Sequence, residues 1–329
     1  MPGVTEGLRR AQRVFDSIQS FEDIERTFLK GSGLSANTYR SYIGSVKQFH
    51  EWSNGKHPLT VTPADIESFY DHLAARVGRN TACLRIFGLK RFFAGIRTVL
   101  PIYTSPFEIM NEKLTKKLSR TKKGNRTRPA LTAPELRDVL AWLDSLGTAR
   151  ARQDRAMLFF LATCGLRAFE FCQLTFGSIQ RIGSTVSVTF TGKGDTSAEQ
   201  EVYPPALASV ERSFHEVTGR APQPSDPLFF TMPHEHTRAA APMNYAVLYE
   251  RVRMVGAAAR AAGVINRDLV WSPHMLRRTY ATGLMRSGMD LKSVQMKTRH
   301  SNIETLARHY LDSSEPAREY LDKMIGGAA

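Results

Sequence analysis

Apolar residues recur at helical spacing through the first hundred positions of the chain. After Ser35, which is placed to cap a helix, Tyr39, Tyr42, Ile43, Val46 and Phe49 fall on one face and predict a helix through about Trp52. Thr62-Pro63 repeats the start signal, a capping hydroxyl followed by a proline inside the first turn. The helix it opens carries Ile66, Phe69, Tyr70 and Leu73 inward. A further helix opens at Asn80, with Ile86, Leu89, Phe93 and Ile96 on one side, and another is expected after Ser105-Pro106. Upstream, residues 5–29 read as one more helix, broken by Gly31-Ser32-Gly33. Amphipathic helices with short connections predict a compact bundle over residues 1–115.

The pattern lapses over residues 116–130, KKLSRTKKGNRTRPA, where Lys116, Lys117, Arg120, Lys122, Lys123, Arg126 and Arg128 stand without an acid among them. With no apolar period, the stretch reads as an extended basic linker that Pro129 ends. Periodicity resumes near Leu131. Thr132-Ala133-Pro134-Glu135 is a capping box before LRDVLAWLDSL, and a second helix over 149–164 faces inward through Met157, Leu158, Phe160 and Leu161. Gly165 stops that helix, and the next starts with Arg167 in its first turn.

The period then changes to two. Ser184 to Thr191 alternates as a half-buried strand, Gly192 to Asp195 is a turn, and Glu201 to Tyr203 is the returning strand. Pro227 to Phe230 is a short apolar strand or a buried loop. Helices are expected at about 205–218, 243–263, 275–287, 290–298, 302–311 and 315–325. The fold class is therefore mainly α with one small β-hairpin. A helical domain (1–115) is joined by the linker (116–130) to a second domain (131–329).

Charge narrows the partners. The net charge of +14 favours a polyanion, whether DNA, RNA or an acidic membrane surface. No apolar run approaches the ~20 residues of a membrane span, and the N-terminal stretch lacks the apolar core of a signal peptide. Cys83, Cys164 and Cys172 form no CxxC pair, which fits a reducing, cytoplasmic setting. His234 and His236 sit in a polar loop without a third ligand nearby and read as surface residues, so no metal or other cofactor is expected. Arg79, Arg85, Lys90, Arg91 and Arg97 lie on or beside one helix; that segment alone suits a solvated face and a phosphate-contacting face equally. Lys122, Lys123, Arg126 and Arg128 suit either a path along a DNA backbone or a bare tether.

One set of side chains carries candidate chemistry. Cleaving a phosphodiester without a metal requires fixed cations for the extra negative charge of the transition state, a nucleophile, and an acid for the leaving oxygen. Arg167 follows a glycine at a helix start. Arg277 lies three residues after His274, on the same helical face. Lys193 stands between glycines at the hairpin tip, His300 precedes a new helix, and Tyr310 follows two to three turns later. No paired carboxylates stand at metal-ligand spacing. Taken singly, these are ordinary: a surface pair, a solvated turn lysine, a core tyrosine.

Their conjunction resembles a known family. CGLRAFEFCQL resembles the TGxRxxExxxL motif of the tyrosine recombinases, also called phage integrases, and TGKG resembles their β-hairpin lysine. HMLRRTYATGLMRSGMDLKSVQ resembles their HxLRHTxATxLxxxGxxLxxIQ block, and RHSNIETLARHY their GHSxIxTTxxY block. The match spans about 131–325, and the helical N-terminal segment is similar to the family's core-binding domain.

The resemblance implies a site-specific recombinase. Tyr310 would attack the scissile phosphate, giving a 3′-phosphotyrosyl bond and a free 5′-hydroxyl. Arg167 and Arg277 would hold the non-bridging oxygens, Lys193 would protonate the leaving oxygen, and His274 and His300 would hydrogen-bond the phosphate. Glu170 would buttress the site without touching DNA. Strands would exchange through a Holliday junction, without ATP or metal, on double-stranded DNA with inverted half-sites, two protomers per site and four in the synapse. A C-terminal helix over 314–326, with Leu321, Met324 and Ile325 apolar, would dock on its own domain or on a neighbour. Rival readings are a telomere resolvase or type IB topoisomerase, both disfavoured by the compact length, and a DNA-binding regulator with a decayed site.

Two departures stand out. Arg299 occupies the place of the family's glycine before the second histidine. The family's tyrosine follows that histidine by about nine residues, whereas Tyr310 follows His300 by ten, and one extra residue turns a helix by about 100°. The stretch Ser301–Thr305 is expected to absorb the difference. The ninth residue here is His309, and Tyr320 in the docking helix is the substitute nucleophile if Tyr310 points elsewhere.

Overall fold

The computed structural model describes residues 35–99, 103–119, 129–192, 196–232 and 241–300, with the single positions 13, 16, 23 and 303. The expected helices over 5–29 and after His300 therefore lie outside the described residues. So do Lys122, Lys123, Arg126, Arg128, Lys193, His234, His236, His309, Tyr310 and Tyr320. The chain divides into two compact units, Met1–Gly124 and Asn125–Ala329.

The first unit contains α1 (Ala36–Trp52), α2 (Pro63–Val77), α3 (Arg79–Val99) and α4 (Glu112–Ser119). Ser35 accepts the Thr38 N–H, and Thr62 and Asp65 close a reciprocal capping box ahead of Pro63. Ile66, Phe69, Leu73, Leu89, Phe93 and Ile96 are almost wholly buried, and the Phe49 and Phe69 rings meet edge-on at 5.2 Å. Removing each such side chain from water contributes about 1.5–3 kcal/mol. Glycine at position 88 lets α1 and α3 close on one another, because a Cβ there would lie 2.8 Å from the Ser45 hydroxyl.

Helix α4 departs from the expectation of a linker beginning at 116. Asn111 caps it by accepting the Leu114 N–H at 2.8 Å, and Leu114 and Leu118, one turn apart, are buried. Lys117, on the same helix, pairs with Glu67 and Asp71 of α2. Two leucines were too sparse a period to show through the surrounding lysines. Residues 105–109 form a turn, not the expected start of this helix.

The second unit runs α5 (Ala133–Ser145), α6 (Ala149–Cys164), α7 (Ala168–Cys172), β1 (Ile179–Ile182), β2 (Thr185–Thr191), β3 (Ser197–Glu201), α8 (Pro204–Thr218), α9 (Tyr245–Ala261), α10 (Pro273–Arg286) and α11 (Leu291–Thr298). Helix α6 is the axis: ten of its residues are buried, and α5, α8, α9 and α10 pack around it. The sheet is antiparallel in the order β1-β2-β3, with Val188 opposite Ile179 on one side and Gln200 on the other. The sequence pattern showed one hairpin. Strand β1 was missed because three of its four residues face solvent, and β3 begins earlier than expected because it is polar, with Gln200 its one buried residue. Leu228, Phe229 and Phe230 are buried between two isolated β-bridges, and Phe229 stacks on Phe171 at 3.7 Å. The fold is thus mainly helical with a small three-stranded sheet. No described helix is long and apolar enough to cross a membrane.

Candidate active site

The turn after α6 positions the first arginine. Gly165 ends the helix in the left-handed conformation, φ 66°, and a Cβ there would lie 2.1 Å from a ring carbon of Tyr280 on α10. Only glycine fits both constraints. The chain then reverses through Leu166 to Arg167, the N-cap of α7. Glu170 turns back onto that cap: one carboxylate oxygen accepts the Arg167 backbone N–H at 2.8 Å, and the other accepts its Nη1 at 2.8 Å.

Arg277 projects from the first turns of α10, whose N-terminus is capped by Ser272 and stiffened by Pro273. The residue is 2% exposed. Nη1 donates to the Gly165 carbonyl at 2.6 Å and Nη2 to the Thr298 carbonyl, so one side chain ties the loop before Arg167 to the end of α11. Burial, and next the Arg167 charge, lower its pKa to about 10; the group remains a cation at neutral pH. His274, three residues earlier, lies on the exposed side of the same helix.

The end of α11 supplies the third group. His300 is half-buried, with Nδ1 at 2.5 Å from the Thr298 hydroxyl. That hydroxyl also lies 2.6 Å from the Val294 carbonyl.

Arg299 caps α11 in the left-handed region, φ 51° and ψ 44°. For a residue with a Cβ this costs about 1–2 kcal/mol. Its Nη2 reaches Glu170 at 2.7 Å, its Nη1 reaches Gln200 of β3 at 2.8 Å, and its carbonyl accepts Arg167 Nη2 at 2.7 Å. The guanidinium lies over the Phe190 ring, 4.5 Å from its centroid. Burial pushes the Glu170 carboxyl up, but the Arg167 hydrogen bonds and the Arg299 charge outweigh it and leave the group below its ordinary value. Arg167 and Arg299 thus hold one buried carboxylate, with the Arg277 charge acting on it from nearby, an excess of positive charge suited to holding an anion.

The structure therefore brings Arg167, Glu170, Arg277 and His300 together through their own contacts and those of residues 165 and 298–299. Lys193 belongs to the segment between β2 and β3, outside the described residues, as does Tyr310. Among the first-unit candidates, Arg79, Lys90 and Arg91 are exposed on α3. Arg85 is half-buried, its guanidinium close enough to Gly44 of α1 to meet a Cβ there at 3.4 Å. Gln200 and Thr298 escaped the sequence reading. A polar residue in a polar strand and a threonine at a helix end give no signal of their own. Among the described residues no three His, Cys, Asp or Glu side chains cluster as a metal site.

Residues 129–316 match the phage integrase family, and residues 21–96 match the phage integrase N-terminal SAM-like domain. A tyrosine recombinase XerD of Pseudomonas putida is 31% identical over 283 residues, covering 83% of this chain and 86% of its own. The XerD of Pseudomonas aeruginosa is 29% identical over 281 residues, again 83% and 86% of the two chains. In fold, the chain is similar to the XerH site-specific recombinase in its post-cleavage complex with palindromic difH substrate, with TM-score 0.68, 18% identity, and 97% and 88% of the two chains covered. The Tn1549 transposon integrase in complex with transposon right end DNA gives 0.65 at 15% identity, covering 97% and 99%. The chain belongs to the phage integrase family, the tyrosine recombinases.

Proposed function

We propose that this chain performs site-specific DNA recombination by cleaving each strand through Tyr310. The arginine cluster supports this reading above all. Arg167 and Arg277 converge through one shared loop, each spends two N–H donors on protein acceptors, and a guanidinium has five. The remaining donors suit the non-bridging oxygens of a phosphodiester, where negative charge grows as the nucleophile arrives.

In the cleavage step the Tyr310 oxygen bonds to phosphorus and the P–O5′ bond breaks. The tyrosine proton leaves toward His274, and Lys193 protonates the departing 5′-oxygen. The phosphodiester energy is kept in the tyrosyl bond, so a second 5′-hydroxyl reverses the step without ATP. His300 hydrogen-bonds a phosphate oxygen. The guanidinium cations supply the charge that a metal would otherwise provide. The substrate is double-stranded DNA with inverted half-sites, one protomer on each and four in the synapse, in the cytoplasm with the DNA. Arg79, Lys90 and Arg91 on α3, and Lys122, Lys123, Arg126 and Arg128 in the segment between the units, grip the backbone.

A largely apolar cavity of about 740 Å³, bordered by Leu131, Leu136, Val202, Tyr203, Leu284 and Met289, is of a size to receive the apolar stripe of a C-terminal helix. We assign that stripe to Leu321, Met324 and Ile325.

A suicide substrate nicked beside the cleavage site tests the mechanism. A covalent protein–DNA adduct is expected, retained in EDTA and lost in Tyr310→Phe. An adduct that survives Tyr310→Phe refutes the assignment, and an adduct that moves to Tyr320 identifies the substitute nucleophile. In Arg167→Ala the adduct should vanish while DNA binding falls only modestly; equal loss of both would make Arg167 a docking residue.

A further inference from the structure

We infer that Arg299 is a positioning residue of the cleavage centre: it fastens the β2–β3 ribbon to Glu170 and so fixes the aim of Arg167. The inference rests on the reading of Arg167 as a phosphate ligand and goes beyond it.

The backbone gives the first reason. Two non-glycine residues among those described have positive φ, Asn54 at 53° and Arg299 at 51°. Asparagine enters this region readily because its short side chain bonds locally, whereas arginine has no such aid. The helix end alone favours glycine there, and an arginine in its place needs contacts that offset the strain.

The side chain supplies those contacts, and they run to three elements. Its two terminal nitrogens bond Glu170 of α7 and Gln200 of β3, at 2.7 and 2.8 Å. Its plane lies over Phe190 of β2. Its carbonyl holds the second nitrogen of Arg167. The side chain is 21% exposed and both terminal nitrogens are committed to protein acceptors, so it is turned inward and acts through other groups. Glu170 is held from both sides, by Arg167 and by Arg299. Without the Arg299 side chain the carboxylate keeps one arginine partner and is free to turn under Arg167, whose bond to the residue-299 carbonyl remains.

The network also reaches α10. Gln200 and Arg299 both act on the Tyr280 hydroxyl, and Tyr280 is the ring that excludes a Cβ at Gly165. A planar guanidinium bridges Glu170 and Gln200 and stacks on Phe190 at once; an ammonium offers the charge without the fork or the plane.

The substitution Arg299→Gly separates the backbone role from the side-chain role, because glycine accepts φ 51° without strain. With only a capping role, the variant is as active as the parent. With a positioning role, adduct formation on the nicked phosphate substrate falls roughly 10- to 100-fold. A methylphosphonate at the cleaved position distinguishes misaim from general damage. It lacks the negative charge that Arg167 neutralises, so Arg299→Gly and the parent should react with it at similar rates. Arg299→Lys should fall between them on the phosphate substrate.

Gln200→Ala leaves the helix end untouched and should give a smaller loss with the same substrate signature, which keeps the test decisive if Arg299→Gly does not fold. An unchanged rate on phosphate, or equal loss on both substrates, overturns the role of Arg299. Failure of the parent to form any adduct instead overturns the cleavage mechanism on which that role rests.

Discussion

Two carboxylate–cation clusters, one in each unit, use the same chemistry in opposite surroundings. On the helical unit, Lys117 reaches Glu67 and Asp71 at 2.8 Å each, and the three side chains are 31%, 43% and 56% exposed. In the second unit, Glu170 lies between Arg167 and Arg299 with 3% of its side chain exposed. The hydrogen bonds Lys117 donates to Asp71 and then Glu67 raise its pKa, yet water competes for every group, and such a pair contributes about 0–1 kcal/mol. Around Glu170 no water compensates. A carboxylate there is tolerable only because both arginines are present, and removing one side of such a pair costs about 3–5 kcal/mol. Similar contact distances thus describe a surface ornament in one unit and a structural obligation in the other.

The sharpest way to break this comparison is Glu170→Ala. It strands two arginines in partial burial and should lower the unfolding free energy by about 3–5 kcal/mol in urea titration; a loss near that of an exposed pair would remove the contrast. Next, Gly165→Ala should cost about 2–3 kcal/mol, from the left-handed backbone and the Tyr280 ring together.

Glu135, held by Arg267 at 2.5 Å and by the Thr132 cap, is intermediate. The Arg267 hydrogen bonds outweigh burial and lower its pKa from 4.5 to about 2. Its contribution is therefore complete above about pH 4.5 and is lost as pH falls toward 2. Glu135→Gln should cost about 1–2 kcal/mol at pH 7 and nothing at the acid end. A difference independent of pH would sink that account. Lys117→Ala should move the urea midpoint by less than about 1 kcal/mol equivalent. Smallest in stability is Lys90→Ala, with no change in the midpoint but a log–log salt slope of DNA binding shallower by about one.

These clusters also show what was legible in the chain. The periodicity of Ile66, Phe69, Tyr70 and Leu73, and the capping signals at Ser35, Thr62 and Thr132, are local, and the helices they imply are present. The supporting place of Glu170, three residues from Arg167, came instead from the resemblance to the family's motif. Nothing local announced that Gln200, in a polar strand, would meet Arg299. That contact spans 99 residues and depends on the twist and register of a sheet whose first strand was itself invisible to a burial pattern. Arg299 could be read as a departure from a motif, but not as a link among β2, β3 and α7, because its partners are set by tertiary packing alone.

The bonds of Arg277 to the Gly165 carbonyl and of Arg167 to the Arg299 carbonyl join positions 112 and 132 residues apart. Closing loops of that length forfeits chain entropy that helps only once the intervening core has formed. That cost predicts a cationic centre that closes after the local helices have formed.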